Sequence, residues 1–160
     1  MGTTVARTAA GALGGVLAVG AAAFAYGAIV ERNRFTVRQE QIPVLDVAAR
    51  PITVLHLSDL HMAPWQHRKQ EWIRALATVE PDMIVNTGDN LGHPDGLEGL
   101  RAALEPFRGV PGVFVNGSND YYASQFKNPF SYFRSSKHHT AKNSHQLDTA
   151  AMEEYFDSLG

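Results

Sequence analysis

The sequence contains no cysteine, which excludes disulfide bonds, thiolate zinc sites and a cysteine nucleophile. It also lacks an excess of positive charge, because 14 Lys and Arg stand against 16 Asp and Glu and the net charge is −2. No nucleic-acid-binding face is therefore evident. The 7 histidines and the many aspartates leave nitrogen and oxygen ligands available for metal chemistry.

Charged side chains are also missing from residues 9–30. As a helix this run is about 33 Å long, enough to cross the roughly 30 Å hydrocarbon layer of a membrane. It predicts a single-pass anchor over residues 1–30, with membrane lipid as its partner. A buried helix and a signal peptide cleaved near residues 23–25 (Ala-Phe-Ala) are the alternatives. The side of the membrane stays open, because Arg7 precedes the run and other arginines follow it from Arg32.

Residues 31–50 are charged and polar and predict a juxtamembrane linker. Within them, Phe35 and Val37 alternate with polar residues, which is typical of an edge strand. Residues 51–160 form the remaining domain, which is long enough to bury a core of its own.

The pattern from residue 51 alternates between strand and helix. Strands are predicted at residues 52–58, 82–87 and 113–116, and helices at residues 66–79, 95–107 and 149–159, the last with Asp148 as its N-cap. This order predicts right-handed crossovers, a parallel sheet and an α/β fold.

A polar cluster follows each predicted strand. The clusters are Asp59 with His61, Asp89 with Asn90, and Asn119 with Asp120. Because the carboxyl ends of parallel strands meet at one edge of a sheet, we expect these side chains to lie close together. Carboxylate and imidazole ligands suit Mn, Fe, Zn or Mg.

Two of these segments, Asp59-Leu60-His61 and Gly88-Asp89-Asn90, resemble the D-x-H and G-D motifs of the calcineurin-like metallophosphoesterase family. The resemblance extends over about residues 51–122. It implies the N-terminal half of a metallophosphoesterase-type α/β-β sandwich, preceded here by the transmembrane helix. It also implies a two-metal centre and hydrolysis of a phosphomonoester or phosphodiester, so that the substrate is a phosphate ester.

The resemblance assigns roles to single residues. Asp59 and His61 would bind the first metal, and Asp89 would bridge two metals. The family's G-N-H-[DE] motif is altered to Gly-Ser-Asn-Asp at residues 117–120. Asn119 is the predicted further metal ligand, with Ser118 as the alternative through a water molecule.

The altered motif leaves the general acid unassigned, because asparagine does not transfer a proton at neutral pH. Asp120 is the predicted catalytic residue; the alternatives are a histidine elsewhere in the chain, or a leaving group good enough to need no general acid. Asn90 and His93 lie beside the second motif and are predicted to bind substrate. His56 is expected to be a hydrogen-bonded core residue, and Trp65 is expected to serve packing rather than stacking on a substrate.

The family's late G-H-x-H motif does not occur in this sequence. His138, His139 and His145 lie in a polar stretch that we interpret as a solvated loop over the mouth of the site. The sequence therefore predicts the N-terminal part of a longer, membrane-anchored phosphoesterase, and the activity of these 160 residues alone is left open. The alternative is a membrane-anchored, non-catalytic metal- or anion-binding protein of the same fold.

Overall fold

The computed structural model describes residues 2–123 and 146–160. The chain divides into two compact units, Met1–Gln41 and Ile42–Gly160.

The first unit consists mainly of helix α1, Gly2–Ile29, followed by a 3-10 turn at Glu31–Asn33. The stretch Gly14–Asn33 is long and apolar enough to cross a membrane, a property that a signal sequence near an N-terminus shares. Residues 34–50 form no strand, so the predicted edge strand is not found there. Alternating apolar residues form a strand only where a neighbouring strand takes up their backbone hydrogen bonds.

The second unit contains a parallel sheet. Its strands are β1 (Val54–Leu57), β2 (Met83–Asn86) and β3 (Gly112–Phe114), which lie in the order β1-β2-β3. Leu55 lies opposite Ile84 in the register of the first pair. The prediction of a parallel α/β fold is confirmed.

The helices of this unit are α2 (His67–Ala75), α3 (Gly96–Leu104), α4 (Ser118–Tyr121) and α5 (Thr149–Asp157). A 3-10 turn extends α2 at Leu76–Val79, and another extends α3 at Glu105–Phe107. Pro106 in the second turn lacks the N–H that an α-helix would use. The predicted helices are therefore present, but two of them tighten in their last turn.

The hydrophobic core joins one face of the sheet to α2, α3 and α5. Leu57 from β1 is buried with Ile73, Leu100, Phe107 and Met152 from the helical segments. Burying each large apolar side chain contributes about 1.5–3 kcal/mol to folding. This packing fixes the helices against the strands and leaves the loops at the carboxyl ends of the strands to form one edge.

The opposite face of the sheet carries the alternate strand residues. Val54, His56 and Val113 are exposed there. The His56 Nε2 atom lies 3.0 Å from the Thr87 hydroxyl, so this histidine is hydrogen-bonded as expected but does not lie in the core.

Candidate metal centre

The loops that follow β1 and β2 run side by side beyond the ends of the strands. The Asp59 N–H donates to the Gly88 carbonyl at 3.0 Å, and the His61 N–H donates to the Asp89 carbonyl at 2.9 Å. These bonds continue the parallel pairing of the two strands. They hold the D-x-H segment against the G-D segment.

Three non-glycine residues in these loops have a left-handed backbone conformation. The φ angle is 53° at Asp59, 40° at His61 and 55° at Asp89. Such a conformation costs on the order of 1–2 kcal/mol per residue and is concentrated at functional sites. Both Asp59 and His61 lie beyond β1, which ends at Leu57. Backbone turns, rather than the side-chain alternation of a strand, therefore bring the two side chains together.

The side chains of Asp59, His61 and Asp89 converge. Each offers one ligand atom, and these atoms all lie within 4.8 Å of one another. His61 Nε2 is 3.8 Å from Asp59 Oδ1, and the Ser58 hydroxyl donates to Asp59 Oδ2 at 2.6 Å. Asp59 is exposed and the other two are partly exposed, so the cluster is open to solvent. Two carboxylates and an imidazole fit a divalent ion of the Mn, Fe, Zn or Mg type.

Asn119 holds the Asp89 carboxylate in place. Its backbone N–H donates to Asp89 Oδ1 at 2.9 Å, and its side-chain amide donates to Asp89 Oδ2 at 3.0 Å. The backbone hydrogen bond is the largest cause that lowers the pKa of Asp89, and the Asn119 amide and the nearby His61 act in the same direction against burial. Asp89 is therefore kept ionised, which is the state that binds a cation.

Gly117 allows the third loop to approach Asp89 closely. A Cβ atom at this position would overlap Asp89 Oδ1 and would lie 2.5 Å from the Asp89 backbone nitrogen. The backbone in this place therefore has room only for glycine.

Asp120 is fully buried next to the cluster. Its Oδ1 accepts the backbone N–H groups of Asn90 at 2.6 Å and Leu91 at 2.9 Å. Its Oδ2 accepts the Gly117 N–H at 2.9 Å and the Asn90 side-chain amide at 3.3 Å. The carboxylate thus ties the third loop to the second, and the Thr149 hydroxyl of α5 donates to the Asp120 carbonyl at 2.6 Å. These contacts are those of a positioning residue, while the predicted catalytic role stays a prediction.

A model of the calcineurin-like phosphoesterase family matches residues 52–158. The chain belongs to this family. Neither a curated protein nor a solved structure matches the chain. The family membership confirms the resemblance read from the D-x-H and G-D motifs. It agrees with the mixed α/β fold, and it supports a phosphate ester as the substrate class.

In this member of the calcineurin-like phosphoesterase family, the altered third motif forms α4 and the glycine that precedes it. Ser118 is exposed, whereas Asn119 reaches Asp89. The structure therefore brings Asn119 to the cluster, as predicted for a further ligand. That it binds metal stays a prediction.

The two residues predicted to bind substrate have different settings. Asn90 is fully buried, and its side chain bonds to Asn86 and Asp120. His93 is partly exposed, and its Nδ1 accepts the Asp95 N–H at 3.1 Å. Of the two, His93 has the exposure that contact with a substrate needs.

Asn86 supports the second loop, although it was not among the residues predicted from the sequence. Its amide donates to Asn90 Oδ1 at 2.7 Å, and its Oδ1 accepts the Gly88 N–H at 2.9 Å. The sequence did contain a signal for this role, namely an asparagine in an otherwise apolar strand. A polar side chain that is buried in such a strand needs hydrogen-bond partners. The late histidines, His138, His139 and His145, lie outside the described residues.

Proposed function

We propose that this chain is a metal-dependent phosphoesterase that hydrolyses a phosphomonoester or phosphodiester at a two-metal centre. Asp59, His61, Asp89 and Asn119 are the proposed ligands. The observation that carries the proposal is the convergence of the two carboxylates and the imidazole within 4.8 Å at the carboxyl edge of the sheet. The family membership supports the reaction class.

The contacts of each residue indicate its role at the proposed site. Divalent ions bound here would supply positive charge to the phosphate oxygens and lower the pKa of a coordinated water molecule. Asp89 remains ionised because its pKa is lowered, first by the Asn119 backbone N–H. Asn119 orients that carboxylate through its two donors, and Asp120 fixes the loop on which Asn119 lies. Asn119 carries no titratable proton, so it does not protonate the leaving group.

We also propose that residues 1–30 anchor the protein in a membrane as a single-pass helix, in contact with lipid. Residues 31–50 are then a linker and residues 51–160 the phosphoesterase domain. The length and apolar composition of Gly14–Asn33 support the anchor.

The second candidate function is a membrane-anchored, non-catalytic protein that binds metal or an anion. The altered third motif favours it, because Asn119 replaces a histidine of the family pattern and directs its amide at Asp89. Tight metal uptake without turnover of any phosphate ester would support this candidate.

A hydrolysis assay of the full chain separates the two. We expect p-nitrophenyl phosphate or bis(p-nitrophenyl) phosphate to be cleaved when Mn²⁺, Fe²⁺, Zn²⁺ or Mg²⁺ is added. Asp89→Asn should lower the rate at least a hundredfold, since it removes ligand charge while keeping the shape of the side chain. Asp157→Asn, on the exposed end of α5, is the matched control and should retain the rate. Equal rates for wild type and Asp89→Asn would show the site assignment to be wrong.

A further inference from the structure

Trp65 is a large aromatic side chain on the surface of the domain. It is 62% exposed, although the sequence favoured a packing role over stacking on a substrate. Trp72, in contrast, packs partly against the core. An indole that stays in water does not gain the free energy that burial of its apolar surface would give. Trp65 is therefore a candidate for contact with a ligand.

The backbone before Trp65 is held firmly. The Ala63 N–H donates to Gln66 Oε1 at 3.0 Å, and the buried Gln70 amide donates to the Pro64 carbonyl at 3.0 Å. Both glutamines belong to the start of α2 or the turn just before it. Trp65 is therefore presented from an ordered loop, and binding through it needs little further ordering.

His93 is the aromatic neighbour of Trp65. The two ring centroids are 4.7 Å apart, and the planes meet at 72°, an edge-to-face contact. The Asp95 N–H donates to His93 Nδ1, so the neutral imidazole carries its proton on Nε2. The pair thus combines aromatic surface with a hydrogen-bond donor.

This aromatic pair lies on loops next to the candidate metal ligands, Asp59, His61 and Asp89. Met62, next to His61, forms a parallel bridge with Leu91. A Cβ atom on Gly92 would lie 2.5 Å from the His61 carbonyl oxygen, so the backbone immediately before His93 touches the backbone of a cluster residue. The loop that carries His93 therefore adjoins the segment that carries His61.

We propose that Trp65 and His93 form a binding surface for a planar aromatic group carried by the phosphate ester, either an aryl alcohol or a nucleobase. This inference rests on the proposed function, because it assumes that the cluster holds the phosphate. Aromatic rings bind edge-to-face or offset against indole, and a ring nitrogen or hydroxyl can accept the His93 Nε2 proton.

Fluorescence tests the surface without turnover. The chain has 2 tryptophans, so Trp72→Phe leaves Trp65 as the reporter and Trp65→Phe leaves Trp72. The full chain is loaded with Zn²⁺ in detergent and titrated with phenylphosphonate or a phosphonate analogue of adenosine monophosphate. We expect quenching or a spectral shift in Trp72→Phe and none in Trp65→Phe.

Binding selectivity gives a second readout. Calorimetry measures the affinities for phenylphosphonate, butylphosphonate and methylphosphonate. These three ligands share the phosphonate anion and differ only in its substituent, which is an aromatic ring, a flexible apolar chain or a single methyl group. Trp65→Leu keeps an apolar side chain but removes the ring, and we expect it to lower the preference for phenyl over methyl about tenfold. His93→Gln keeps a donor and should lower that preference less.

The outcomes are distinct. A wild-type preference for butyl over phenyl, or an unchanged preference in Trp65→Leu, overturns the aromatic surface whether or not the protein hydrolyses esters. A Trp65 signal with phenyl or adenosine phosphonate, but no hydrolysis of any ester, supports the surface and contradicts the proposed catalysis. Absence of both Zn²⁺ uptake and phosphonate binding contradicts both proposals.

Discussion

Replacing Asp120 distinguishes a residue that positions the site from one that transfers a proton. The carboxylate is fully buried and accepts hydrogen bonds from three backbone N–H groups, those of Asn90, Leu91 and Gly117, and from the Asn90 amide. Asp120→Ala would leave these donors without their acceptor. Asp120→Asn would keep one side-chain oxygen as an acceptor. Its NH₂ group would replace the other oxygen and would face N–H donors without accepting from them.

The size of the effect follows from these contacts. A buried donor without a partner costs about 1–3 kcal/mol. The backbone N–H groups of Asn90 and Leu91 belong to fully buried residues, so we expect Asp120→Ala to lower the free energy of unfolding by about 4 kcal/mol. For a domain of this size that is a fall in Tm of about 15 °C. Asp120→Asn should cost about 2 kcal/mol, or about 8 °C.

Thermal unfolding and the hydrolysis rate are measured on the same samples. Asp148→Ala is the matched control, because Asp148 caps α5 through one hydrogen bond to the exposed Ala151 N–H at 3.0 Å and its loss should cost about 1 kcal/mol. A positioning role predicts that Asp120→Asn loses stability and retains part of its rate. An Asp120→Asn protein that melts within 2 °C of wild type (roughly 0.5 kcal/mol) but loses a hundredfold or more in rate would refute this reasoning and support the predicted catalytic role.

Two further perturbations follow from the cited contacts. Asn119→Ala removes one of the hydrogen bonds that lower the pKa of Asp89, so this pKa should rise. It should stay below the usual 3.8, because the backbone N–H of residue 119 remains. Carboxyl-carbon NMR titration measures the pKa of Asp89, and an unchanged value would contradict the role of the Asn119 amide. Burial raises the pKa of Tyr155 from 10.0 to about 12. Because the folded value exceeds the unfolded one, this contribution to stability is complete below pH 10 and should be lost as the pH rises to 12. Absorbance titration of tyrosinate together with urea unfolding checks this, and normal ionisation of Tyr155 in the folded protein would refute it.

The sequence allowed the sheet and the place of the site to be predicted, because both depend on periodic patterns. Apolar strands that alternate with helices of 3.6-residue periodicity require parallel crossovers. The polar residues after each strand must then meet at one edge. Asp59, His61 and Asp89 do lie together there.

The conformations of the loops could not be predicted from periodicity. Asp59 and His61 have positive φ angles. Aspartate and histidine adopt this left-handed conformation more often than most residues other than glycine, but too rarely for the residue type alone to predict it. Adjacent polar residues also diverge, since Asn119 contacts Asp89 whereas Asp120 is buried among backbone donors. Both residues lie in α4, whose single turn is too short for a periodic pattern to show which residue faces inward.

Two other expectations failed for related reasons. The alternation at Phe35 and Val37 suggested a strand, but strand formation depends on a partner that local sequence does not specify. Trp65 was expected to pack because large aromatic residues usually do, yet it precedes α2 on a loop where helix periodicity gives no guidance.

The central claim is that Asp59, His61 and Asp89 form a metal site, and Mn²⁺ binding tests it most directly. Electron paramagnetic resonance counts the Mn²⁺ bound by the full chain as the ion is titrated. We predict saturable binding that Asp89→Asn and His61→Ala each weaken at least tenfold, while Asp157→Asn leaves it unchanged. Equal Mn²⁺ affinity in wild type, Asp89→Asn and His61→Ala would contradict the claim.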